Sequence, residues 1–202
     1  MRPMPDTARA RDLRGDVRRL KEGLGALPEP AATPSLIVIS GLPGTGKSHF
    51  ARKLRERFPS AILESDALRK GLFPAPGYGP EESAYLFKVC HLLIEELLRK
   101  RIPLIFDATN LSERHRERLY ELAAASGARL ILVRVEAPPP LVHERLEARH
   151  EVPERQDSSD ADWGVYLKMK GEVERMRRRH FAVDTSRDIS PVIDKIVREV
   201  GR

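Results

Sequence analysis

The run Leu36-Ile37-Val38-Ile39, followed after Ser40 by Gly41-Leu42-Pro43-Gly44-Thr45-Gly46-Lys47-Ser48, constrains this chain more than any other stretch. Consecutive apolar residues of this kind read as a strand covered on both faces, the environment of a parallel sheet. The segment from Gly41 to Ser48 fits the P-loop pattern G-x-x-x-x-G-K-[ST], and helical patterning runs on from about Gly46 to Phe58. A strand that feeds a glycine-rich turn and then a helix has to cross over before the next parallel strand can pair with it. The glycines let the backbone turn tightly, so that successive N–H groups point inward around a phosphate, while the helix N-terminus adds partial positive charge. In such a cradle Lys47 bridges the β- and γ-phosphates of ATP, and the Ser48 hydroxyl completes the shell of a Mg²⁺ ion that keeps several waters. The whole segment, Gly41, Leu42, Pro43, Gly44, Thr45, Gly46, Lys47 and Ser48, is thus the expected nucleotide cradle, with Ser48 the metal ligand.

The remaining pattern alternates in the same way. A short strand is expected at Ala61–Glu64, a helix over Glu81–Lys100 and a strand at Ile102–Phe106. A helix at Ser112–Ser126, a strand at Leu130–Val135 and a helix at Pro140–Arg149 follow. The polar stretch Glu151–Asp160 leads to a helix over Asp162–Arg177, a last strand at Phe181–Val183 and a closing helix at Pro191–Val200. Strands separated by helices predict an α/β fold, a three-layer αβα sandwich of the P-loop NTPase type around a parallel, doubly wound sheet. Residues 6–26 read as a further amphipathic helix, with Leu13, Val17, Leu20 and Leu24 on one face, ended by glycines and the Pro-rich stretch to Pro34. The expected organisation is an appendage at 1–34 and a catalytic domain at 35–202 with a lid around 149–160.

Charge qualifies this reading. The 202 residues carry a formal net charge of +6. Much of the excess lies early, where Arg2, Arg9, Arg11, Arg14, Arg18, Arg19 and Lys21 face only Asp6, Asp12 and Asp16. A helix docked on the domain with its charged face in water accounts for these residues; a basic arm on single-stranded nucleic acid is the sharper alternative. Cys90 is the only cysteine, which rules out an internal disulfide and a cysteine-rich zinc site. With no apolar run of membrane-spanning length, a cytoplasmic protein without a membrane partner is the expectation. His91 falls within the Glu81–Lys100 helical pattern and reads as a packing residue, His115, His143 and His180 lack metal-ligand spacing, Trp163 and Tyr166 read as core, and Ser159 with Asp162 fits a capping box.

A phosphate cradle does not say where the γ-phosphate goes. The strand Leu104-Ile105-Phe106 ends at Asp107, a natural Walker-B carboxylate. It is followed by Ala108-Thr109-Asn110, without the Glu that motor ATPases often use to polarise water, which argues against a partner-stimulated ATPase. Asp66 follows the second strand and would face the γ-phosphate, placed to take the proton of an acceptor hydroxyl. Asp66 would equally serve as a helix N-cap. Arg69, one helical turn on, would hold an anionic group of the acceptor. Arg145 and Arg149, four residues apart, would project from one helix face toward the transferring phosphoryl group.

These motifs together resemble the P-loop kinase family that includes the 5′-hydroxyl polynucleotide kinases, the zeta-toxin kinases and small kinases often labelled AAA-type. The resemblance runs from Leu36 to about Ser186 and rests on Gly41–Ser48, Asp66-x-x-Arg69, Asp107-Ala108-Thr109-Asn110, and Glu144-Arg145 with Arg149. It implies that Asp66 is the general base, that Arg69 holds the acceptor's phosphate and that the lid arginines engage the donor. It also implies that Asp107, with Thr109 and Asn110, serves the acceptor side rather than the metal. Val183-Asp184-Thr185-Ser186 resembles the turn that passes near the adenine. The implied activity is an ATP- and Mg²⁺-dependent phosphotransferase acting on a hydroxyl acceptor. A polynucleotide 5′-OH leads, and a nucleoside, sugar or antibiotic hydroxyl is the alternative.

Overall fold

The computed structural model describes residues 12–151 and 160–201. The first strand, β1 (Ser35–Ser40), is buried along its whole length. After it come α2 (Lys47–Arg57), β2 (Ala61–Glu64), α3 (Ser65–Leu72), α4 (Pro80–Arg99) and β3 (Leu104–Asp107). The chain continues through α5 (Glu113–Ala125), β4 (Arg129–Glu136), α6 (Pro139–Glu151), α7 (Trp163–Lys170), β5 (Phe181–Asp184) and α8 (Ser190–Val200). Ahead of all of these lies α1 (Leu13–Gly23). The part of the expected N-terminal helix before residue 12 lies outside the described residues.

The strands form one five-stranded sheet in the order β2-β3-β1-β4-β5, and every pairing is parallel. The fold is therefore the three-layer P-loop type that the alternating pattern predicts. Alternate residues of β1 enter different cores. Leu36 and Val38 pack with α3, α4 and α5, while Ile37 and Ile39 pack with α2 and α8. Val17 and Leu20 of α1 join the first of these cores, so the amphipathic stripe of that helix is spent on the sheet's own layer. The chain grows from β1 toward one edge and then returns to the other, so the direction reverses at β1 and opens a crevice at the strand ends. Register then sets the floor of that crevice, because Glu64 stands beside Asp107 and Asp107 beside Ile39.

Two sequence expectations fail toward the C-terminal side. The helix expected over Asp162–Arg177 stops at Lys170. Beyond it the backbone is held by distant groups: Glu174 N donates to Leu111 O at 3.1 Å, and the Arg116 guanidinium donates to Glu174 O and Arg175 O at 3.0 and 3.2 Å. Those bonds take the segment out of the helix, and Met176 turns into the core. The capping box also fails, since Asp162 is itself the N-cap of α7 and accepts from Val165 N at 2.8 Å; Ser159 lies outside the described residues. A smaller correction concerns Asp66, which sits in the first turn of α3 rather than at its N-cap, a position held by Glu64.

Candidate active site

The phosphate loop and the strand end before it are fastened to the turn after β3 by bonds that end on backbone carbonyls. Gly41 N donates to Thr109 O at 3.1 Å, and Ser40 Oγ donates to the carbonyls of Thr109 and Asn110, each at 3.1 Å. Asn110 returns the contact, its Nδ2 donating to Ile39 O at 2.7 Å. A side chain at position 41 would collide with the Val135 carbonyl, so close packing of the loop on β4 requires glycine there. Gly46, the N-cap of α2, has φ 89°, a left-handed conformation that favours glycine. Within the loop Leu42 O accepts from Thr45 Oγ1 at 2.7 Å and from Lys47 Nζ at 3.0 Å.

Beside the loop lies a cleft of about 490 Å³. Of the residues singled out by sequence, it is lined by Pro43, Gly44, Gly46, Lys47, Ser48, Asp66, Asp107, Thr109, Arg145 and Arg149. Gly41, Leu42 and Thr45 line instead a second hollow on the far side of the loop. Asn110 is buried and spends its side chain on Ile39, with φ 44°. It braces the loop, which differs from the acceptor contact expected of it. Arg69 is not brought to the cleft either. It is 7% exposed, ion-paired with Glu82, bonded to Ser83 Oγ at 3.2 Å and stacked over the Tyr78 ring at 4.7 Å. The sequence places Arg69 one turn from Asp66, but α4 supplies a carboxylate that claims it first. The lid expected around 149–160 falls largely on residues 152–159, outside the described ones.

The charges in the cleft are interlocked. Burial pulls the Lys47 ammonium below its ordinary pKa, opposed by the carboxylates of Asp107 and Asp66 and reinforced by Arg149. Burial pushes the Asp107 carboxyl up, while Lys47 and a hydrogen bond from Ser48 pull it down. Asp107 is 2% exposed, and its Oδ2 has no hydrogen-bond partner. A buried carboxylate oxygen of this kind, next to a serine hydroxyl, suits a hydrated divalent cation. No cluster of three or more His, Cys, Asp or Glu side chains suited to a metal occurs among the described residues. Such a set matches an ion held mainly by phosphates and water rather than by a protein cage.

Sequence reasoning undervalued Thr185. Its Oγ1 donates to Thr45 O at 2.7 Å and accepts from Arg145 at 2.8 Å, while its carbonyl accepts from Arg145 at 3.0 Å. Thr185 thus ties the turn after β5 to the loop and to α6. The resemblance to an adenine-side turn was the only signal for it. Glu64, His49 and Arg52 also line the cleft and carried no motif. Arg116, within the charged run Glu113–Arg118, is 1% exposed. Its guanidinium bonds Glu113, Asn110 O, Leu111 O, Glu174 O and Arg175 O at 2.6 to 3.2 Å.

Fold and loop together define a P-loop NTPase-like α/β protein with the fold of the P-loop kinases. Residues 36–176 match the family model AAA_33, described as an AAA domain, and the chain belongs to that family. Among curated proteins it is 31% identical over 128 residues to a UPF0200 protein of Saccharolobus islandicus, a stretch covering 58% of this chain and 65% of that relative. A UPF0200 protein of Thermococcus onnurineus is 30% identical over 146 residues, 63% of this chain and 77% of its own. Similar solved structures include a gluconokinase from Sinorhizobium meliloti, with TM-score 0.58, 21% identity and coverage of 85% and 94% of the two chains. The Mycobacterium tuberculosis APS kinase in complex with AMPPNP and APS has TM-score 0.60, 21% identity and coverage of 87% and 100%. Chaetomium thermophilum Kti12 in complex with ADP-AlF3 has TM-score 0.60, 20% identity and coverage of 82% and 98%. At these identities the likeness speaks to the fold.

Proposed function

We propose that this chain transfers the γ-phosphoryl group of ATP to a hydroxyl acceptor. The observation that carries the reading is that Lys47, Asp66, Asp107 and Arg149 line one cleft beside a complete phosphate loop. Loop amides and Lys47 bind the β- and γ-phosphates, while Arg149 neutralises charge on the transferring group. Ser48 and Asp107 would hold Mg²⁺, which when bound would draw electron density from the phosphate oxygens. The acceptor oxygen attacks the γ-phosphorus as its proton passes to the Asp66 carboxylate. The bond to the β–γ bridging oxygen breaks, its electron pair stays on that oxygen, and ADP leaves. Arg145 serves by fixing Thr185 and the loop, a positioning role.

The sequence favours a polynucleotide 5′-OH as acceptor, through Asp66-x-x-Arg69 and the basic N-terminus. The pairing of Arg69 with Glu82 favours the second reading, a small-molecule hydroxyl, because the guanidinium is no longer offered as a phosphate clamp. The gluconokinase and APS kinase likenesses point the same way. No described helix is long and apolar enough to cross a membrane, and a single buried thiol, Cys90, fits a reducing cytoplasmic setting.

The test is transfer of labelled γ-phosphate, with Mg²⁺, to a 5′-hydroxyl oligonucleotide and to nucleosides, sugars and aminoglycosides. Asp66→Asn is expected to lower transfer about a hundredfold or more while leaving ATP affinity near that of the wild type. Release of free phosphate alone, at equal rates from both proteins, would refute the kinase reading.

A further inference from the structure

A further cavity, about 540 Å³, opens from the same crevice as the cleft. Ser48, Arg52, Glu64 and Asp107 line both cavities, so the two meet at the ends of β2 and β3, where the acceptor oxygen has to arrive. Its outer wall is α1, which lies ahead of the family-matched residues 36–176 and contributes Arg19, Leu20 and Leu24. The helix comes close to α3 here: a Cβ added at Gly71 would lie 2.9 Å from Leu20 Cδ2. Leu20, Leu24, Ile62 and Leu68 make part of the lining apolar, while Arg19, Arg52 and Arg55 make the rest cationic.

Among the described residues neither Arg52 nor Arg55 takes part in an ion pair, and Arg19 pairs with Asp16 at 2.8 Å, its side chain 57% exposed. At the junction, by contrast, stand two carboxylates, Glu64 and the metal-side Asp107, with the base Asp66 lining the adjoining cleft. A ligand that suits both ends carries a hydroxyl at the junction and an anionic group among the arginines. The volume suits a small molecule rather than a polymer.

Resting on the kinase reading, we infer that this cavity is the acceptor pocket, that it selects a small hydroxyl compound bearing a phosphate or carboxylate, and that α1 is part of its wall. The shared chemistry is an anion at a fixed distance from a hydroxyl. The test is calorimetric titration of the full chain, with Mg²⁺ and a non-hydrolysable ATP analogue, using matched probes. These are glucose against gluconate and glucose 6-phosphate, and adenosine against adenosine 3′-monophosphate, so that sugar and nucleotide sources of the anion are separated.

The expected result is that at least one charged probe binds more tightly than its neutral partner. Arg55→Gln and Arg19→Gln, both exposed positions that fold without difficulty, should each weaken that binding about ten- to a hundredfold, with ATP-analogue affinity unchanged. Equal binding of charged and neutral probes, no binding of any charged probe, or unchanged affinity in both variants would overturn the inference. Charged-probe binding lost in the variants, while assays with ATP itself release only free phosphate in the presence of every bound probe, at equal rates in wild type and Asp66→Asn, would instead keep the subsite and remove the kinase reading.

Discussion

Arg116 and His91 illustrate how a residue's charge acquires meaning only from its surroundings. Arg116 makes a buried ion pair with Glu113 and four backbone contacts that join the turn after β3 to the segment after α7. Removing the guanidinium leaves carbonyls and a carboxylate without partners, so Arg116→Met is expected to cost about 3–5 kcal/mol of stability, read from urea unfolding. His91 lies on α4, where burial, with Arg118 and His115 nearby, pushes its pKa from 6.5 down to about 4. Between those values the unfolded chain binds a proton that the folded chain does not. Stability is therefore lost as pH falls from about 6.5 toward 4. Unfolding midpoints measured across that window should fall less steeply in His91→Gln than in the wild type.

The helix α1 shows what an element can do beyond its own pattern. Its stripe of Val17 and Leu20 is legible in the sequence, and the structure spends it on the core shared with α3 and α4. Truncating Leu20, 5% exposed, is expected to lower stability by about 2–4 kcal/mol through lost burial and a residual cavity. The same chemical denaturation series checks it, with Leu24→Ala, at a less buried position, as the milder companion. The α7 segment teaches the converse. A helical pattern runs to Arg177, yet Glu174 N donates to Leu111 O and Arg116 donates to the carbonyls of Glu174 and Arg175, so the chain leaves the helical path after Glu172. Local propensity is worth tenths of a kcal/mol per residue, and several buried hydrogen bonds outweigh it.

Across the whole molecule, ligand binding and folding are linked because the cleft exists only when loop, sheet and α6 are assembled. ATP with Mg²⁺ at a hundred times its Kd is expected to stabilise the native state by about 2.7 kcal/mol, visible as a rise in Tm of several degrees. Lys47→Ala should lose most of that rise and Asp66→Asn should keep it, since the first residue binds phosphate and the second acts on the acceptor. A loss of the rise in Asp66→Asn would move Asp66 from the acceptor to nucleotide or metal binding.

The chain's order of strands, its phosphate loop and the carboxylates at the strand ends were legible because each depends on residues adjacent in sequence: an apolar run, a glycine spacing, an Asp where a strand stops. Register then brought Glu64, Asp107 and Ile39 abreast, as parallel pairing requires. What the tertiary structure decided involves residues far apart. Arg69 went to Glu82 instead of the cleft, Asn110 to Ile39, and Arg145 to Thr185, forty positions away. A side chain with several donors takes whichever acceptors the packed chain presents, and that choice is made by assembly of the layers rather than by the residues beside it.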